Sequence, residues 1–254
     1  MEIKPNNIYL GDCLELMQYI PSKSIDMILC DLPYGTTACK WDTIIPFEPL
    51  WKQYERVIKD NGAMVLTAAQ PFTTKLITSN LKLFRYELIW EKTMPNGFLD
   101  ARKKPLKSHE NIIIFYKKQP TYNPIKTKGI PYKKERKNSL KYEGYHEYLP
   151  TDTNNANGER FPKSIIKFSN GNNNHENGKS VHPTQKPVPL FEYLIKTYTN
   201  EGETVLDNCM GSGTAAIAAI NTNRNYIGFE KDEHYFKIAN KRIQEFQVQI
   251  KLEL

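Results

Sequence analysis

Short apolar runs and helical repeats alternate towards both ends of the chain, and this alternation constrains the fold more than any other feature. "NIYLGD" and "SIDMILCD" have the length and β-branched content of strands, and "CLELMQYI" between them repeats Leu14, Met17 and Ile20 near helical spacing. "PFEPLWKQYERVIKD" sets Leu50, Tyr54, Val57 and Ile58 on one helical face, and Asn61–Gly62 is predicted to stop that helix. The strand "AMVLTA", the proline-opened helix "PFTTKLITSNL" and the strand "YELIWEK" follow; "HENIIIFYKK" is predicted to pair antiparallel with "YELIWEK". Beyond a long interruption, "PVPLFEYLIKTYT", "ETVLD", "GTAAIAAINTN", "NYIGFE" and "EHYFKIANKRIQEFQ" read as helix, strand, helix, strand and helix. Such a chain is predicted to be α/β, a mixed sheet with helices on both faces.

The interruption divides the sequence into residues 1–118, a tract from 119 to 180, and residues 181–254. Periodicity fades in the tract, which is rich in Lys, Tyr and Asn and ends in "SNGNNNHENGKS". The chain's net charge is +7, but residues 101 to 180 alone hold 17 Lys+Arg against 7 Asp+Glu, a net of +10, leaving 18 basic against 21 acidic residues, or −3, elsewhere. The basic character therefore belongs to one segment, which is predicted to face a polyanion. No run approaches the roughly 18 apolar residues of a membrane span. "MEIKPNNIYLGD" has no pattern of a secretion signal, so the cytoplasm is the expected location. Cys13, Cys30, Cys39 and Cys209 are scattered without a C-x-x-C pair and the five histidines do not join them, so free thiols are expected and no metal site.

"VLDNCMGSGTAAIAA" places Gly211, Ser212 and Gly213 between a strand and a helix, and Glu230 ends the next strand. The spacing fits a dinucleotide fingerprint, in which a short glycine turn admits a ligand close to the backbone and the later acid accepts ribose hydroxyls. Asp207, four residues before the first glycine, would repel a pyrophosphate and attract an ammonium. S-adenosylmethionine (SAM) has an ammonium, a sulfonium and no phosphate, and suits the loop better than NAD does.

With "DLPYG", "VHPTQKP" and "GSGT" occurring in that order, the chain resembles the β group of amino DNA methyltransferases, which carry a D-P-P-Y-type motif. The resemblance covers about residues 1–118 and 181–247. It implies a Rossmann-like SAM-dependent methyltransferase fold with circularly permuted motif order, and residues 119–180 as an inserted target-recognition region. By resemblance Asp31, Leu32, Pro33 and Tyr34 form the catalytic motif, with Asp31 also beside the cofactor. Asp207, Gly211, Ser212, Gly213 and Thr214 form the SAM loop, with Glu230 as the ribose acid. "HPTQKP" assigns Thr184, Gln185 and Lys186 to the methionine end, and "LGDCLELM" nominates Asp12 for the adenine; Asp12 also suits the N-cap of the helix starting near Cys13. Two positions depart from the family pattern: Leu32 stands for the usual first proline, and Cys209 for a common phenylalanine.

The resemblance implies methyl transfer to an exocyclic amino group of a base swung out of duplex DNA. Asp31 and the Leu32 carbonyl would accept the amino N–H bonds, Pro33 would keep Leu32 extended, and Tyr34 would stack on the base. An acid at the first motif position points to adenine N6, with cytosine N4 as the alternative and a non-catalytic DNA-binding relative as the third reading. Arg102, Lys103, Lys104 and Lys107, and in the basic tract Lys133, Lys134, Arg136 and Lys137, are the candidate DNA contacts. Among partners, the resemblance leaves room for a homodimer and a cognate restriction nuclease.

Overall fold

A computed structural model describes residues 1–37, 39, 42–134, 153–170 and 185–253. They form two compact units, Met1–Asn123 with Ser164–Leu254, and Pro124–Lys163.

The first unit contains β1 (Asn7–Leu10), α1 (Cys13–Leu16), β2 (Ile25–Cys30), α2 (Phe47–Val57), β3 (Ile58–Ala68), α3 (Phe72–Ser79), β4 (Phe84–Asn96) and β5 (Lys107–Phe115). The second contributes four short strands, β6 (Thr127–Lys128), β7 (Tyr132–Lys134), β8 (Thr153–Asn155) and β9 (Glu159–Arg160). The chain then returns to the first unit with β10 (Ile165–Phe168), α4 (Val188–Tyr198), β11 (Thr204–Asp207), α5 (Thr214–Asn221), β12 (Asn225–Glu230) and α6 (Glu233–Glu253).

Among the described residues one eight-stranded sheet runs in the order β1-β12-β11-β2-β3-β5-β4-β10. Neighbours pair in parallel except at β5, which is antiparallel to both β3 and β4. The β4–β5 pairing predicted from sequence is present, and it extends to Asn96 opposite Lys107. Side chains alternate between two apolar layers. Ile28, Leu66, Ile113 and Phe115 pack with Leu16, Leu50, Tyr54 and Phe72. Met27, Leu29, Val65, Ile112 and Ile114 pack with Leu190, Leu194, Ala216 and Ile243. Helices cover both faces, which explains why the central strands read as unbroken apolar runs.

Three details differ from the sequence reading. α2 ends at Val57, and Asn61–Gly62 lies inside β3 rather than in a turn. The pairing of β2 with β3 shifts register there, and a Cβ on Gly62 would stand 2.7 Å from the Asp26 carbonyl oxygen. The glycine thus serves close strand approach, not helix termination. The tract expected to be aperiodic also supplies β10, which extends the sheet beside β4 and is anchored by Trp90 Nε1 donating to the Phe168 carbonyl at 3.0 Å. The compact unit within it is correspondingly shorter, Pro124–Lys163, and its two small antiparallel pairs join β6 to β9 and β7 to β8. Finally, Cys13 and Cys30 are buried free thiols, whereas Cys39 is exposed. No helix among the described residues is long and apolar enough to cross a membrane.

Gly62→Ala would press a methyl group on the Asp26 backbone and on Ile58. It is expected to lower stability by about 1–3 kcal/mol in urea denaturation, the usual cost of overpacking; a loss below about 0.5 kcal/mol would contradict the bulge assignment.

Candidate active site

Parallel strands gather their C-terminal ends at one sheet edge, and the chain's chemistry collects there. Asp31 follows β2, Thr67 lies near the end of β3, Lys92 sits in the second half of β4, Asp207 ends β11 and Glu230 ends β12. Because β5 runs the other way, it brings its early residues Lys107 and Glu110 to the same edge. Between β11 and β2 the strand order changes direction, which is where open α/β sheets bind ligands. A cavity of about 880 Å³ opens there. Asp31, Leu32, Pro33 and Tyr34 line it, as do Asp12, Gln185, Lys186, Asp207, Gly211, Ser212, Thr214 and Glu230. Gly213 is set back at the N-terminus of α5, and Thr184 lies outside the described residues.

The Asp31 carboxylate is heavily engaged. Oδ1 accepts from the Thr67 hydroxyl and, at 2.9 Å, from the Tyr34 hydroxyl; Oδ2 accepts from Lys186 Nζ at 2.6 Å. A carboxylate offers about four lone-pair sites, so these three donors leave about one. Lys186 is buried and also lies 3.4 Å from Glu110 Oε2, while Lys92 Nζ donates to Glu110 Oε1 at 2.5 Å. Burial by itself would lower the pKa of Lys186, but Asp31 and Glu110 reverse the sign and hold it above the ordinary lysine value. Burial likewise pushes Glu110 up, and Lys186 and Lys92 more than offset it, leaving that carboxyl below its usual range.

The loop beyond the motif has its own brace. Asp42, buried, accepts the backbone N–H groups of Gly35 at 2.8 Å, Thr36 at 2.9 Å and Thr37 at 2.7 Å. Gly35 has φ +66°, which a side chain would strain, and a Cβ there would meet Ile44 at 3.0 Å. Leu32 is buried in the core layer with Leu16 and Phe72, so its side chain anchors the motif from below.

On the cofactor side, Glu230 holds the glycine loop: Oε2 accepts Gly211 N–H at 2.7 Å and Oε1 accepts Asp232 N–H at 2.8 Å. Arg242 of α6 grips the loop from behind, donating to the Ser212 carbonyl at 3.0 Å. Asp12 caps α1 by accepting Leu14 N–H at 2.9 Å, and its other oxygen pairs with Lys231 at 2.9 Å. Burial pushes the Asp207 carboxyl up to about 7, although Cys209 N–H donates to it at 3.0 Å. Among the described residues no lysine or arginine forms an ion pair with Asp207. A buried acid without a protein cation fits a ligand that brings its own positive charge, and Glu230 and Asp12 retain acceptor capacity for hydroxyl and amino groups. Cys209 packs beside the thiols of Cys13 and Cys30, and those contacts push its own thiol pKa well above the ordinary value.

The candidate DNA contacts are dispersed. Arg102, Lys103 and Lys104 are exposed in the turn between β4 and β5, where Lys104 pairs with Asp100 at 3.3 Å. Lys107 lines the cavity, and burial lowers its pKa. Lys133 and Lys134 are exposed on β7 of the smaller unit, and Arg136 and Lys137 lie outside the described residues. Sequence reading missed Asp42, Thr67, Lys92, Glu110 and Arg242. The available signal was position: Thr67 and Lys92 sit late in strands that run towards the site, and Glu110 sits early in the strand predicted to oppose "YELIWEK".

A family model for N6/N4-type DNA methylase matches residues 25–241. Type II methyltransferase M1.MboII of Moraxella bovis is 28% identical, over 96% of this chain and 98% of its own length. Type II methyltransferase M.BglII of Bacillus subtilis is 30% identical, over 92% of this chain and 68% of its own. The fold is shared with PvuII DNA methyltransferase (cytosine-N4-specific), with TM-score 0.68, 16% identity and coverage of 98% of this chain and 93% of that one. It is shared too with M1.HpyAVI in its SAM complex, with TM-score 0.61, 23% identity and coverage of 93% and 98%. The model match spans most of the sequence and M.BglII aligns along most of both chains, so this chain belongs to the N6/N4 DNA methylase family.

Proposed function

We propose that the protein methylates the N6 amino group of an adenine swung out of duplex DNA, with S-adenosylmethionine as methyl donor. The observation that carries this reading is Asp31 at the cavity, held by Thr67, Tyr34 and Lys186 with acceptor capacity to spare. An acid at that position, in the family the motif resembles, favours adenine.

Bound SAM supplies an electrophilic methyl group on a positively charged sulfur. The protein's part is to make a poor nucleophile attack it. The amino lone pair of adenine is delocalised into the ring, and acceptors placed on both N–H bonds favour a pyramidal nitrogen whose lone pair is free. Asp31 and the Leu32 carbonyl are these acceptors. As attack proceeds, positive charge grows on nitrogen, and the fixed Asp31 carboxylate stabilises it without reorganising. Pro33 fixes the backbone, and the Asp42 brace on residues 35–37 keeps the following loop from pulling the motif away. The methylated nitrogen is acidic, so its proton leaves late, and Asp31 need not be a strong base. Asp207 and Glu230 bind and orient the donor: Asp207 suits its ammonium and Glu230 its ribose hydroxyls. The exposed cations Arg102, Lys103, Lys104, Lys133 and Lys134 are suited to DNA phosphates.

Incubation with unmethylated DNA and labelled SAM, followed by nucleoside mass spectrometry, is expected to give N6-methyladenine from the wild type. Asp31→Ala is expected to lose at least a hundredfold in rate while SAM affinity changes by less than about threefold. N4-methylcytosine as the product would overturn the base assignment.

Asp207 gives a second test through pH. Its folded pKa of about 7 lies above the ordinary aspartate value, so the penalty for burying its charge is absent below about pH 4 and complete above pH 7. That difference amounts to roughly 4 kcal/mol. Asp207→Asn is therefore expected to gain stability over the ligand-free wild type as pH rises from 5 to 8 in denaturant titrations. SAM binding by the wild type should tighten between about pH 5.5 and 7, and the variant should bind weakly with no such slope. Equal slopes in both proteins would contradict the role of Asp207.

A further inference from the structure

The Tyr34 ring, which lines the cavity, is already in contact with two neighbours. Phe72 stacks on its ring with centroids 5.1 Å apart and planes at 21°. The Lys186 ammonium lies over the same ring, 5.5 Å from its centroid. The same nitrogen donates to Asp31 Oδ2 at 2.6 Å. A positively charged N–H group therefore sits over the aromatic ring and on the catalytic carboxylate together, which is the place assigned above to the target amino group.

Lys186 has somewhere else to go. Glu110 Oε2 is 3.4 Å from its Nζ, within ion-pair range, and among the described residues this buried oxygen receives no well-formed hydrogen bond. The other oxygen, Oε1, is engaged by Lys92 at 2.5 Å. A side-chain swing towards Oε2 would turn this ion pair into a hydrogen bond, draw the ammonium off the Tyr34 ring and release a lone pair of Asp31. No proton moves, since Lys186 is an ammonium in either position. The swing also removes a cation from Asp31 as positive charge grows on the attacking nitrogen, where a cation at 2.6 Å would oppose the reaction.

We infer that Lys186 is an internal stand-in for the target amino group, and that Glu110 is the positioning residue that receives it when a base arrives. The inference rests on the role of Asp31 proposed above and adds a dependence on Glu110 that this role alone does not require. In Glu110→Gln the receiving charge is gone and Lys186 stays on Asp31. In Lys186→Gln there is no cation to receive, and Glu110 has nothing left to position.

The experiment is a double-variant cycle on a duplex containing the site that the wild type methylates, with 2-aminopurine at the target position for binding measurements. Glu110→Gln is expected to lower kcat about a hundredfold and to reduce the 2-aminopurine fluorescence gained on binding. DNA affinity and the KM for SAM should stay within about threefold. Made in the Lys186→Gln background, the same substitution should cost less than about threefold in kcat. Losses that multiply in the double variant, or an undiminished 2-aminopurine signal in Glu110→Gln, would overturn the inference. If Glu110→Gln does not fold, Lys92→Met/Glu110→Gln removes the buried pair whole and is judged by the same criteria. Methylation by Asp31→Ala at the wild-type rate would instead refute the proposed reaction, whatever the cycle shows.

Discussion

The bond between Lys186 and Asp31, 2.6 Å long and largely shielded from water, is the interaction around which this half of the cavity is arranged. A carboxylate in such surroundings is costly unless its lone pairs are met, and removing one partner leaves the other charge uncompensated. The sheet supplies the partners from separate strands. Thr67 comes from β3, and Glu110 and Lys92 from the antiparallel β5 and its neighbour β4. Were β5 parallel like the rest, its early residues would lie at the opposite edge, and the cation beside Asp31 would lack its second acid. One reversed strand in a mostly parallel sheet is thus what brings Glu110 to the cations Lys186 and Lys92.

The cofactor half follows a different logic. Asp207 is buried with no cation paired to it among the described residues, Glu230 uses its carboxylate to hold two backbone N–H groups, and Arg242 fixes the loop from α6. The loop is pre-arranged, and the uncompensated charge at Asp207 is a local cost offset by the apolar layers on both faces of the sheet. Sites that trade local stability for ligand binding in this way are expected where function requires them. The two halves meet where β11 and β2 pair, so Asp207 and Asp31 are held by the same strand pairing.

Much of this was legible in the sequence. The alternation of strands and helices carried the fold class, because each strand is short, apolar and bounded by turn residues. Asp31, Asp207 and Glu230 were visible because they end apolar runs, where strands deliver side chains to a ligand. Less visible were residues whose role depends on register. Glu110 follows His109 in an apparently ordinary strand, and only its place opposite Trp90 and next to Asn111 brings it to Lys186. The motif resemblance assigns Lys186 to the cofactor, and the structure finds it on Asp31, a pairing across 155 residues that no local pattern encodes. β10 escaped notice because four residues are too few to show a period, and Gly62 was misread because an Asn-Gly pair signals a turn unless a neighbouring strand requires the space.

In the proposed reaction Asp31 accepts the target amino group at the position that Lys186 holds in the free protein. A crystal structure of the protein with its duplex site and a non-reactive SAM analogue tests this most directly. The adenine amino nitrogen is expected within hydrogen-bond distance of Asp31, the base against the Tyr34 ring that Lys186 has left, and Lys186 bonded to Glu110. A base seated in the cavity with Lys186 still on Asp31, and its amino group bonded elsewhere, would contradict it.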